Sequence, residues 1–498
     1  MRSGRLHQFV CQPLVLGLLS GVLLALAARV PGAWPLSFIA LVPAYIAVAQ
    51  APSGRVVFLS GFVTGLPMMG AAIWWLFDAL PLPPAFGTIP PWLGLATVGT
   101  SFVILTLAFA AVVGLWALFS YAIRAWRYGL LAMALSWLAF EYLRMVVYNL
   151  LTFAPHIDNA PFFSSGFVGY PLADSMGWVQ LAAVGGVYTL GTVVVLGNAL
   201  AYRIVRSRQR RVASGIAMAL IILLVHVVPI AAIRSAAFPD MPRHRITVAA
   251  LSLRTPANAD PEVRVPVEAT MVEFVRRASD AGADLIALPE ESNFLAPFST
   301  RTPNSVLGDR HRSAIIDSGT ALLEDGTRVR RAQAPDTLGF NTGLLQDKRI
   351  LTPKGEYLPT LLSGIITTLG GGQYLDRFAA KRNYSIGKVE IPGTIAGVKF
   401  SVLLCIETME PGLGREVVRA QGSEILAVLA SHAWFGTSPF LIQDTFRQAR
   451  IQAVEAHVPV VRSADFAPAY VFDAYGRVVA SGGFGPDPDL AVATLSIP

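Results

Sequence analysis

Long apolar runs fill the first half of the 498-residue chain, whereas short apolar stretches alternate with polar segments in the second half. A helix needs roughly 20 predominantly apolar residues to cross a bilayer. Seven runs approach that length, at residues 12–29, 35–50, 56–77, 93–118, 127–147, 176–200 and 214–233. The pattern predicts a polytopic α-helical membrane domain of about seven helices over residues 1–234.

The first two runs are short and are joined by the turn at Pro31-Gly32, so they form either a tight hairpin or one re-entrant element. A basic start at Arg2 and Arg5 precedes the first run, as it does in a signal peptide. No small-residue cleavage site stands out before the next apolar runs. We therefore interpret the first run as a retained helix.

The arginines predict the orientation of these helices. With the N-terminus placed in the cytoplasm, ten arginines fall on the inside, at positions 2, 5, 55, 124, 127, 203, 206, 208, 210 and 211. The outer loops between the spans and the adjoining helix ends carry Arg29 and Arg144. This bias follows the positive-inside rule, and seven spans then place the second half of the chain outside the cytoplasm.

The pattern changes after a predicted linker, residues 235–245. RITVAALSL reads as a strand, PVEATMVEFVRRASDAGA as an amphipathic helix, and DLIALPEES as a buried strand that runs into a loop. Further strands follow, and a helix is predicted at about 441–457. Strands alternating with helices favour an α/β domain over residues 246–498.

Composition supports the same division. The chain is 54% hydrophobic and 14% charged, which is too apolar for an ordinary soluble protein. Residues 1–245 carry 15 basic and 5 acidic residues, a net +10, and residues 246–498 carry 24 and 27, a net −3. The basic excess belongs to the membrane half, and no basic patch interleaved with aromatic residues indicates nucleic-acid binding.

The chain has two cysteines, Cys11 and Cys405. Two thiols so far apart in sequence cannot form a disulfide framework, so we expect both to be free. No cysteine or histidine cluster has the spacing of metal ligands. The sequence therefore predicts neither a metal nor another cofactor.

Three polar residues stand at the ends of predicted strands: Glu290 closes LIALPE, Lys348 follows NTGLLQD, and Cys405 closes VLLC. Active sites of open α/β sheets gather at the carboxyl ends of strands. A thiol needs a base to become a nucleophile, and a nearby ammonium can favour the thiolate and stabilise an oxyanion. These three side chains are sufficient for acyl transfer through a thioester.

Taken alone, each of the three residues has a more common interpretation. A cysteine after apolar residues is usually part of a core, a glutamate after proline usually lies at the surface, and a lysine is usually solvated. The lysine is unusual in this chain, which has 34 Arg and only 5 Lys, because Lys348 is the first of the five.

The ordered motifs LPE, DKRILTPKGEYLP and LLCIE resemble those of the nitrilase superfamily of carbon–nitrogen hydrolases. With apolar spans in front, and with FEYLR and GWVQLAAVGGVYTLGTVVVLGNAL among them, nearly the whole chain is similar to the apolipoprotein N-acyltransferase family. The resemblance implies an αββα sandwich for the second half. It also implies a bacterial inner membrane, with the catalytic domain in the periplasm.

The resemblance implies a role for each matched residue. Glu290 would be the general base and Cys405 the nucleophile. Lys348 would stabilise the tetrahedral oxyanion, together with the backbone N–H of Ile406. Glu291 adjoins the predicted base, but on a strand it would point to the opposite face, which favours Glu290.

Two further carboxylates match supporting residues of the family. Glu356, eight residues after Lys348, would orient the lysine and the base. Glu407 would be a second supporting carboxylate beside the cysteine.

The hairpin that the family usually has before the D-K-R motif is missing or moved, since Gln346 runs directly into Asp347, and two further segments depart from the family pattern. Ser431-His432 stands where Asn-Asp usually precedes the Ala-Trp-Phe sequence that contains Trp434, and DFAPAY replaces a stretch with paired Asn and Gly. His432 either fills the usual position as a polar residue or contacts a lipid headgroup. We therefore regard His432 and Trp434 as candidates for substrate binding.

Arg144 is a third candidate. It lies three residues after Glu141 in FEYLR, and the two either form a helix-end ion pair or belong to a site near the outer surface. The long aromatic loop 148–175 lies on the same predicted side as the second half and could dock against it.

The stretch LLSGIITTLGGGQYLDRF, residues 361–378, is apolar and ends in a run of glycines and polar residues. It is either a helix packed on the domain or a mobile lid that enters the outer leaflet and admits an acyl chain.

The predicted function is transfer of a fatty acyl chain from a phospholipid, through a Cys405 thioester, to the N-terminal amine of a diacylglyceryl lipoprotein. One alternative is a membrane amidase of the nitrilase family, or an acyltransferase paralogue with a different acceptor, for example in conjugal transfer. The other is a non-catalytic membrane scaffold, which the complete set of Glu290, Lys348 and Cys405 disfavours.

Overall fold

The computed structural model of the protein describes residues 2–82, 89–206, 215–216, 244–256, 261–308, 313–335 and 342–497. The predicted span 214–233 and the predicted linker 235–245 lie outside the described residues, apart from two residues of each. The chain forms two compact units. The first comprises Met1–Leu76, Val98–Leu150 and Phe163–Arg234, and the second comprises Phe77–Thr97, Leu151–Phe162 and Ser235–Pro498.

Apolar helices dominate the first part of the chain. Its α-helices are α1 (Arg2–Arg29), α2 (Val42–Gln50), α3 (Gly54–Ala72), α4 (Pro91–Ile123), α5 (Gly129–Leu151), α6 (Met176–Val179) and α7 (Ala182–Arg206). Short 3₁₀ turns lie at Trp34–Phe38, Trp74–Ala79 and Tyr170–Asp174. Among the described residues, five helices are long and apolar enough to cross a membrane, namely α3, α4, α5, α7 and the Gln12–Arg29 part of α1. These helices confirm a polytopic helical region.

Two of the predicted spans have a different form in the structure. Residues 35–50 comprise the end of a 3₁₀ turn and the nine-residue α2, each with a proline in its first turn, and α2 alone is too short to cross a bilayer. The predicted span 176–200 is divided between α6 and α7, and α7 itself is kinked at Gly185 and Gly186. Proline lacks a backbone N–H and favours the start of a helix, and glycine readily adopts non-helical dihedral angles, neither of which a count of apolar residues registers.

Close packing of α1 against α3 depends on small residues. A Cβ on Gly17 would lie 2.4 Å from the Ser60 carbonyl oxygen, and one on Gly21 would lie 2.2 Å from that of Thr64. The Thr64 hydroxyl donates to the Gly17 carbonyl at 2.9 Å. Small residues and hydroxyl groups are the usual means by which apolar helices associate where lipid provides no hydrophobic driving force.

The second unit contains a 13-stranded sheet and its helices. The strands are β1 (His244–Leu253), β2 (Leu285–Ala287), β3 (Ala314–Leu322), β4 (Arg328–Ala334), β5 (Leu344–Asp347), β6 (Glu390–Ile391), β7 (Gly393–Ile395), β8 (Val398–Leu404), β9 (Ile425–Ser431), β10 (Val460–Asp465), β11 (Ala469–Phe472), β12 (Val478–Gly482) and β13 (Asp489–Ile497). The helices are α8 (Pro261–Asp280), α9 (Pro303–Leu307), α10 (Thr360–Thr368), α11 (Gly372–Arg382), α12 (Leu413–Gln421) and α13 (Pro439–Ala456).

The sheet runs in the order β6-β5-β4-β3-β2-β1-β10-β9-β8-β7. In its centre the strands β3-β2-β1-β10-β9-β8 pair in parallel, each with the next. Strand β13 pairs with β1 in antiparallel register over nine residues. The parallel centre brings the carboxyl ends of several strands to one edge.

Strand β1 is buried on both faces, which explains its continuous apolar run. Ile246, Val248 and Ala250 belong to a core cluster with residues of β4, β8 and β9, while Ala249 and Leu251 pack in a second cluster with α8. Since side chains alternate along a strand, the first cluster lies between two layers of sheet and the second lies between sheet and helices. This arrangement confirms the αββα sandwich.

The loop predicted to dock against the second half does so over part of its length. Residues 151–162 belong to the second unit, whereas residues 163–175 belong to the first. Ala154 and Ile157 pack in a cluster with Tyr357 and Tyr384.

Candidate active site

The three strand-end residues gather at one edge of the sheet. Glu290 follows β2, Lys348 follows β5 and Cys405 follows β8. The Lys348 ammonium nitrogen lies 2.8 Å from Glu290 Oε1, and the charges of both residues act on the Cys405 thiol. Side chains separated by up to 115 positions in sequence are thus brought into one site.

Cys405 occupies a sharp turn between β8 and a 3₁₀ turn, Cys405–Met409. Its φ of 47° lies in the left-handed region, which costs roughly 1–2 kcal/mol for a residue with a Cβ. The Cys405 Sγ lies 3.9 Å from the carbonyl oxygen of Ser431 at the end of β9, and the preceding carbonyl, that of Ala430, accepts the Glu290 N–H at 3.3 Å. One strand end therefore contacts both residues.

Lys348 is almost completely buried, with 1% of its surface exposed. Its ammonium contacts Glu290 at 2.8 Å, Glu356 at 3.0 Å and the Thr352 hydroxyl at 3.4 Å. Burial alone would lower the pKa of Lys348, but the two carboxylates outweigh it and raise that pKa above its ordinary value. The lysine is therefore a fixed positive charge inside the site.

The carboxyl and the thiol hold their protons more tightly than usual. Burial, with repulsion from Glu356, raises the pKa of Glu290 despite the opposing effect of Lys348. Burial and the Glu290 charge raise the pKa of Cys405 to about 12, although Lys348 opposes them. The resting thiol is consequently neutral, so attack by sulfur requires a base that accepts its proton as the new bond forms.

Arg330 on β4 is a central residue of the site that the sequence did not single out. Its guanidinium binds Glu356 at 3.2 Å and Glu291 at 2.8 Å. Glu291 also pairs with Arg382 of α11 at 3.4 Å. Because Arg330 is 3% and Glu356 4% exposed, the ion pair between them is shielded from water and stabilises the position of Glu356.

Glu291 corrects one step of the sequence argument. Strand β2 ends at Ala287, and Glu291 has a φ of 65° in the following turn, so strand alternation does not determine its direction. Its carboxylate instead faces two arginines, which lower the pKa of Glu291 although burial opposes them. A carboxylate held in two ion pairs is a weaker base than Glu290, whose pKa is raised.

Glu407 joins the cysteine turn to the lysine strand. Its carboxylate accepts the Leu404 N–H at 2.7 Å and the Arg349 N–H at 2.6 Å. Burial raises the pKa of Glu407 to about 7. One side chain therefore holds Leu404, the residue before Cys405, and Arg349, the residue after Lys348. Ile406 lies between Cys405 and Glu407 in the 3₁₀ turn.

His432 is buried, with 2% of its surface exposed. Its Nε2 lies 3.3 Å from the Arg462 guanidinium, and burial together with that charge lowers the pKa of His432 well below its ordinary value. Since a guanidinium only donates, Nε2 accepts and the proton lies on Nδ1, which has no hydrogen-bond partner within the described ranges. Trp434 is half-buried, and its ring lies 5.5 Å from the Arg382 guanidinium.

Arg144 belongs to the first unit and binds the backbone of a nearby loop. Its guanidinium donates to the Ser165 carbonyl at 3.0 Å and lies 4.9 Å from the ring of Phe167. Glu141, one turn earlier, accepts the Val168 N–H at 2.8 Å. Both charged side chains of FEYLR thus organise residues 165–168, and a role of Arg144 in substrate binding stays a prediction.

A small apolar surface adjoins the thiol. Ala430, Ala464 and Ala467 form a buried cluster against which Cys405 and Ile442 pack. Among the described residues, no group of three or more histidine, cysteine, aspartate or glutamate side chains is placed to hold a metal ion. The arrangement brings together a thiol, a carboxyl group and a buried ammonium, a set of groups that can carry out acyl transfer.

Two family models match the chain. The model of the carbon–nitrogen hydrolase family matches residues 248–497. The chain belongs to that family. Residues 20–200 of this carbon–nitrogen hydrolase match the N-terminal domain of apolipoprotein N-acyltransferase, so it is a member of the family with an apolar helical region in front of the hydrolase domain.

Individual relatives are similar over most of the chain. An apolipoprotein N-acyltransferase of Geobacter metallireducens is 26% identical over 487 residues, which cover 93% of this chain and 86% of the relative. One from Thermotoga maritima is 26% identical and covers 94% and 84%. A nitrilase-superfamily structure from Saccharomyces cerevisiae covers 52% of this chain and 92% of its own at 17% identity, with a TM-score of 0.37. By the two apolipoprotein N-acyltransferases and the apolar helices, the chain is an acyltransferase-type member of the family and a bacterial membrane protein.

Proposed function

We propose that the protein is a membrane N-acyltransferase that moves a fatty acyl chain from a phospholipid, through a thioester on Cys405, to the N-terminal amine of a diacylglyceryl lipoprotein. One observation carries the proposal: the Lys348 ammonium lies 2.8 Å from the Glu290 carboxylate, and the end of β9 that accepts the Glu290 N–H also contacts the Cys405 thiol. The relatives named apolipoprotein N-acyltransferase support the choice of substrates.

In the first half-reaction, the Cys405 sulfur bonds to the ester carbonyl carbon while Glu290 accepts the thiol proton. The carbonyl oxygen becomes an oxyanion, which the Lys348 ammonium and the Ile406 N–H stabilise. When the carbonyl re-forms, the bond to the glycerol oxygen breaks, and Glu290 returns the proton to that oxygen. A lysophospholipid leaves, and the acyl chain stays on sulfur as a thioester.

In the second half-reaction, the neutral amine nitrogen of the lipoprotein bonds to the thioester carbon and gives one proton to Glu290. Lys348 stabilises the oxyanion again. The carbon–sulfur bond then breaks, the proton passes from Glu290 to the Cys405 sulfur, and an amide is released. The enzyme returns to its neutral thiol, and no oxidant or reductant takes part.

Supporting residues act through these three. Glu356 orients Lys348, and Glu407 fixes the distance between the cysteine turn and the lysine strand. His432, Trp434 and Arg144 remain candidates for contact with the substrates.

We also propose a place in the bacterial inner membrane, with the N-terminus cytoplasmic and the catalytic domain, residues 246–498, periplasmic. The distribution of arginines between the loops supports this orientation, which requires the apolar segment Trp34–Gln50 to cross the membrane as one of the seven spans. Both proposed substrates reside in a bilayer. Apolar helices keep the enzyme in the same membrane, so it meets its substrates by diffusion in two dimensions instead of capturing them from solution.

The test is intact-mass spectrometry of the full-length protein in detergent with phosphatidylethanolamine. An acyl-sized mass on Cys405 is expected, and a diacylglyceryl peptide with a free amine should discharge it as an acylated peptide. An adduct that also forms on Cys405→Ala, or no adduct on folded wild type, would exclude the thioester. Discharge to free fatty acid, with the peptide left unmodified, would favour a hydrolase.

A further inference from the structure

One asparagine holds both backbone groups of a residue close to the catalytic lysine. Asn159 Oδ1 accepts the Leu351 N–H at 2.9 Å, and Asn159 Nδ2 donates to the Leu351 carbonyl at 2.9 Å, across 192 positions of sequence. Asn159 lies in residues 151–162, which fall within the match to the N-terminal family domain but fold with the second unit. Its side chain thus pairs with Leu351 as a neighbouring strand would.

The pairing is protected from water. Leu351 is 0% exposed, so its N–H and carbonyl have no solvent to replace a lost partner. The Tyr357 hydroxyl donates to the Thr152 carbonyl at 3.0 Å. Five buried residues surround these bonds, namely Ala154, Ile157, Leu351, Tyr357 and Tyr384.

The Leu351–Thr352 peptide connects Asn159 to the catalytic lysine. A peptide group is planar, so the Leu351 carbonyl and the Thr352 N–H turn together. Asn159 holds the carbonyl, and the Thr352 N–H donates to Glu356 Oε2 at 2.7 Å. Glu356 in turn accepts from the Lys348 ammonium at 3.0 Å. Rotation of this one peptide would move the carboxylate that orients the lysine.

We propose that Asn159 is a positioning residue for the acyl transfer described above: through the Leu351–Thr352 peptide it sets the orientation of Glu356 and thereby of Lys348. The inference rests on the proposed function. It requires an amide, because an aspartate accepts the Leu351 N–H but has no donor for the Leu351 carbonyl. Residues 151–162 therefore help to position the catalytic residues.

The test measures the rate of acyl-adduct formation on Cys405 in full-length protein mixed with phosphatidylethanolamine in detergent. Asn159→Asp removes the donor with little change of shape, and Asn159→Leu removes both hydrogen bonds. The matched control is Asn304→Asp, at an exposed position of α9. We expect both Asn159 variants to lower the rate at saturating lipid by about 10- to 100-fold, with the half-saturating concentration within about twofold of wild type.

The outcomes separate this inference from the proposed function. If wild type forms no adduct on Cys405, the proposed function fails and the inference fails with it. If wild type reacts and Asn159→Asp reacts at the same rate, the inference alone is overturned, whatever Asn159→Leu does. A loss seen only as a higher half-saturating concentration, or shared by Asn304→Asp, would also overturn it, because neither reflects the orientation of Lys348.

Discussion

Replacing Glu356 by glutamine would test how the site controls its base. The Glu356 carboxylate accepts from Lys348 at 3.0 Å, from Arg330 at 3.2 Å and from the Thr352 N–H at 2.7 Å. In Glu356→Gln one oxygen becomes an NH₂ group, so at least one of these donors loses its acceptor. A hydrogen bond to a charged group contributes about 1.5–3 kcal/mol, which corresponds to a loss of about 10- to 100-fold in acylation rate if it orients Lys348 in the transition state.

The same change should move the pH dependence in a defined direction. Glu290 acts as a base only when ionised, so the rate falls as the pH falls through its pKa. The Glu356 charge helps to raise the pKa of Glu290, and removing that charge lowers the pKa. The acid limb of Glu356→Gln should therefore lie at lower pH than that of wild type, even though its plateau is lower.

The assay is single-turnover formation of the Cys405 adduct, followed by mass spectrometry from acid to neutral pH. Removing one partner from a buried ion pair destabilises a fold by about 3–5 kcal/mol, so rates are compared at a temperature where thermal unfolding shows both proteins folded. Glu273→Gln, at an exposed position paired with Arg277 at 4.0 Å, is the control. An acid limb that stays in place or moves to higher pH would refute the electrostatic reasoning.

Three further predictions concern the nucleophile, its support and the segment after the lysine. Cys405→Ser should form no detectable acyl adduct, because an alcohol is a far poorer nucleophile beside a carboxylate base than a thiol; an ester of wild-type yield would contradict this. The pKa of Glu407 is raised to about 7, so its contribution to stability is present below the ordinary carboxyl pKa and is lost as the pH rises through about 7. The Tm of Glu407→Gln should accordingly change less than that of wild type between about pH 5 and about pH 7. An identical change in both proteins would argue against a raised pKa of Glu407. Replacing Leu361 and Leu369, which are 47% and 41% exposed, by serine should impair use of long-chain phospholipid more than use of a soluble acyl thioester, since burial in lipid of the part that each leucine still exposes is favourable by about 1 kcal/mol. Equal losses, or a similar loss in Leu322→Ser, would refute a lid at α10.

One leucine of the same apolar stretch does not belong to the exposed face of α10. An apolar count over residues 361–366 also includes Leu362, which is 6% exposed. Its replacement would disturb the domain core and reduce every activity alike. Only the structure distinguishes the leucines that face outward from the one that packs inward.

The strand-end residues could be predicted because the signal is local. Glu290 and Cys405 close apolar runs, and the strands before them, β2 and β8, belong to the parallel centre, which brings such ends to one edge of a sheet. Lys348 follows β5, which runs in the same direction as β3 because two antiparallel pairings separate the two strands. The family resemblance added Glu356 and Glu407, whose spacing from the lysine and the cysteine is short.

The place of Arg330 in the site could not be predicted, because the sequence does not distinguish it from the adjacent Arg331. Arg330 and Arg331 are adjacent on β4 and point to opposite faces. Arg331 pairs at 2.6 Å with Asp347, its partner in register on β5, whereas Arg330 reaches Glu291 and Glu356. Which face meets the active site depends on the pairing of β4 with β3 and β5, and no local pattern encodes it.

Asn159 was beyond prediction for a different reason. It makes its contacts across 192 positions, and a single polar residue in an aromatic loop has no periodicity to reveal a partner. The sequence indicated only that the loop 148–175 could dock.

The left-handed backbone at Cys405 has a consequence for selection. Glycine adopts this conformation without the roughly 1–2 kcal/mol that a Cβ costs there, so Cys405→Gly should be more stable than Cys405→Ala by about that amount. A population selected for a robust fold alone would drift toward glycine at position 405 and lose its chemistry. A side chain at this turn therefore indicates selection for activity at the expense of stability. The difference in unfolding free energy between Cys405→Gly and Cys405→Ala measures how much stability is lost.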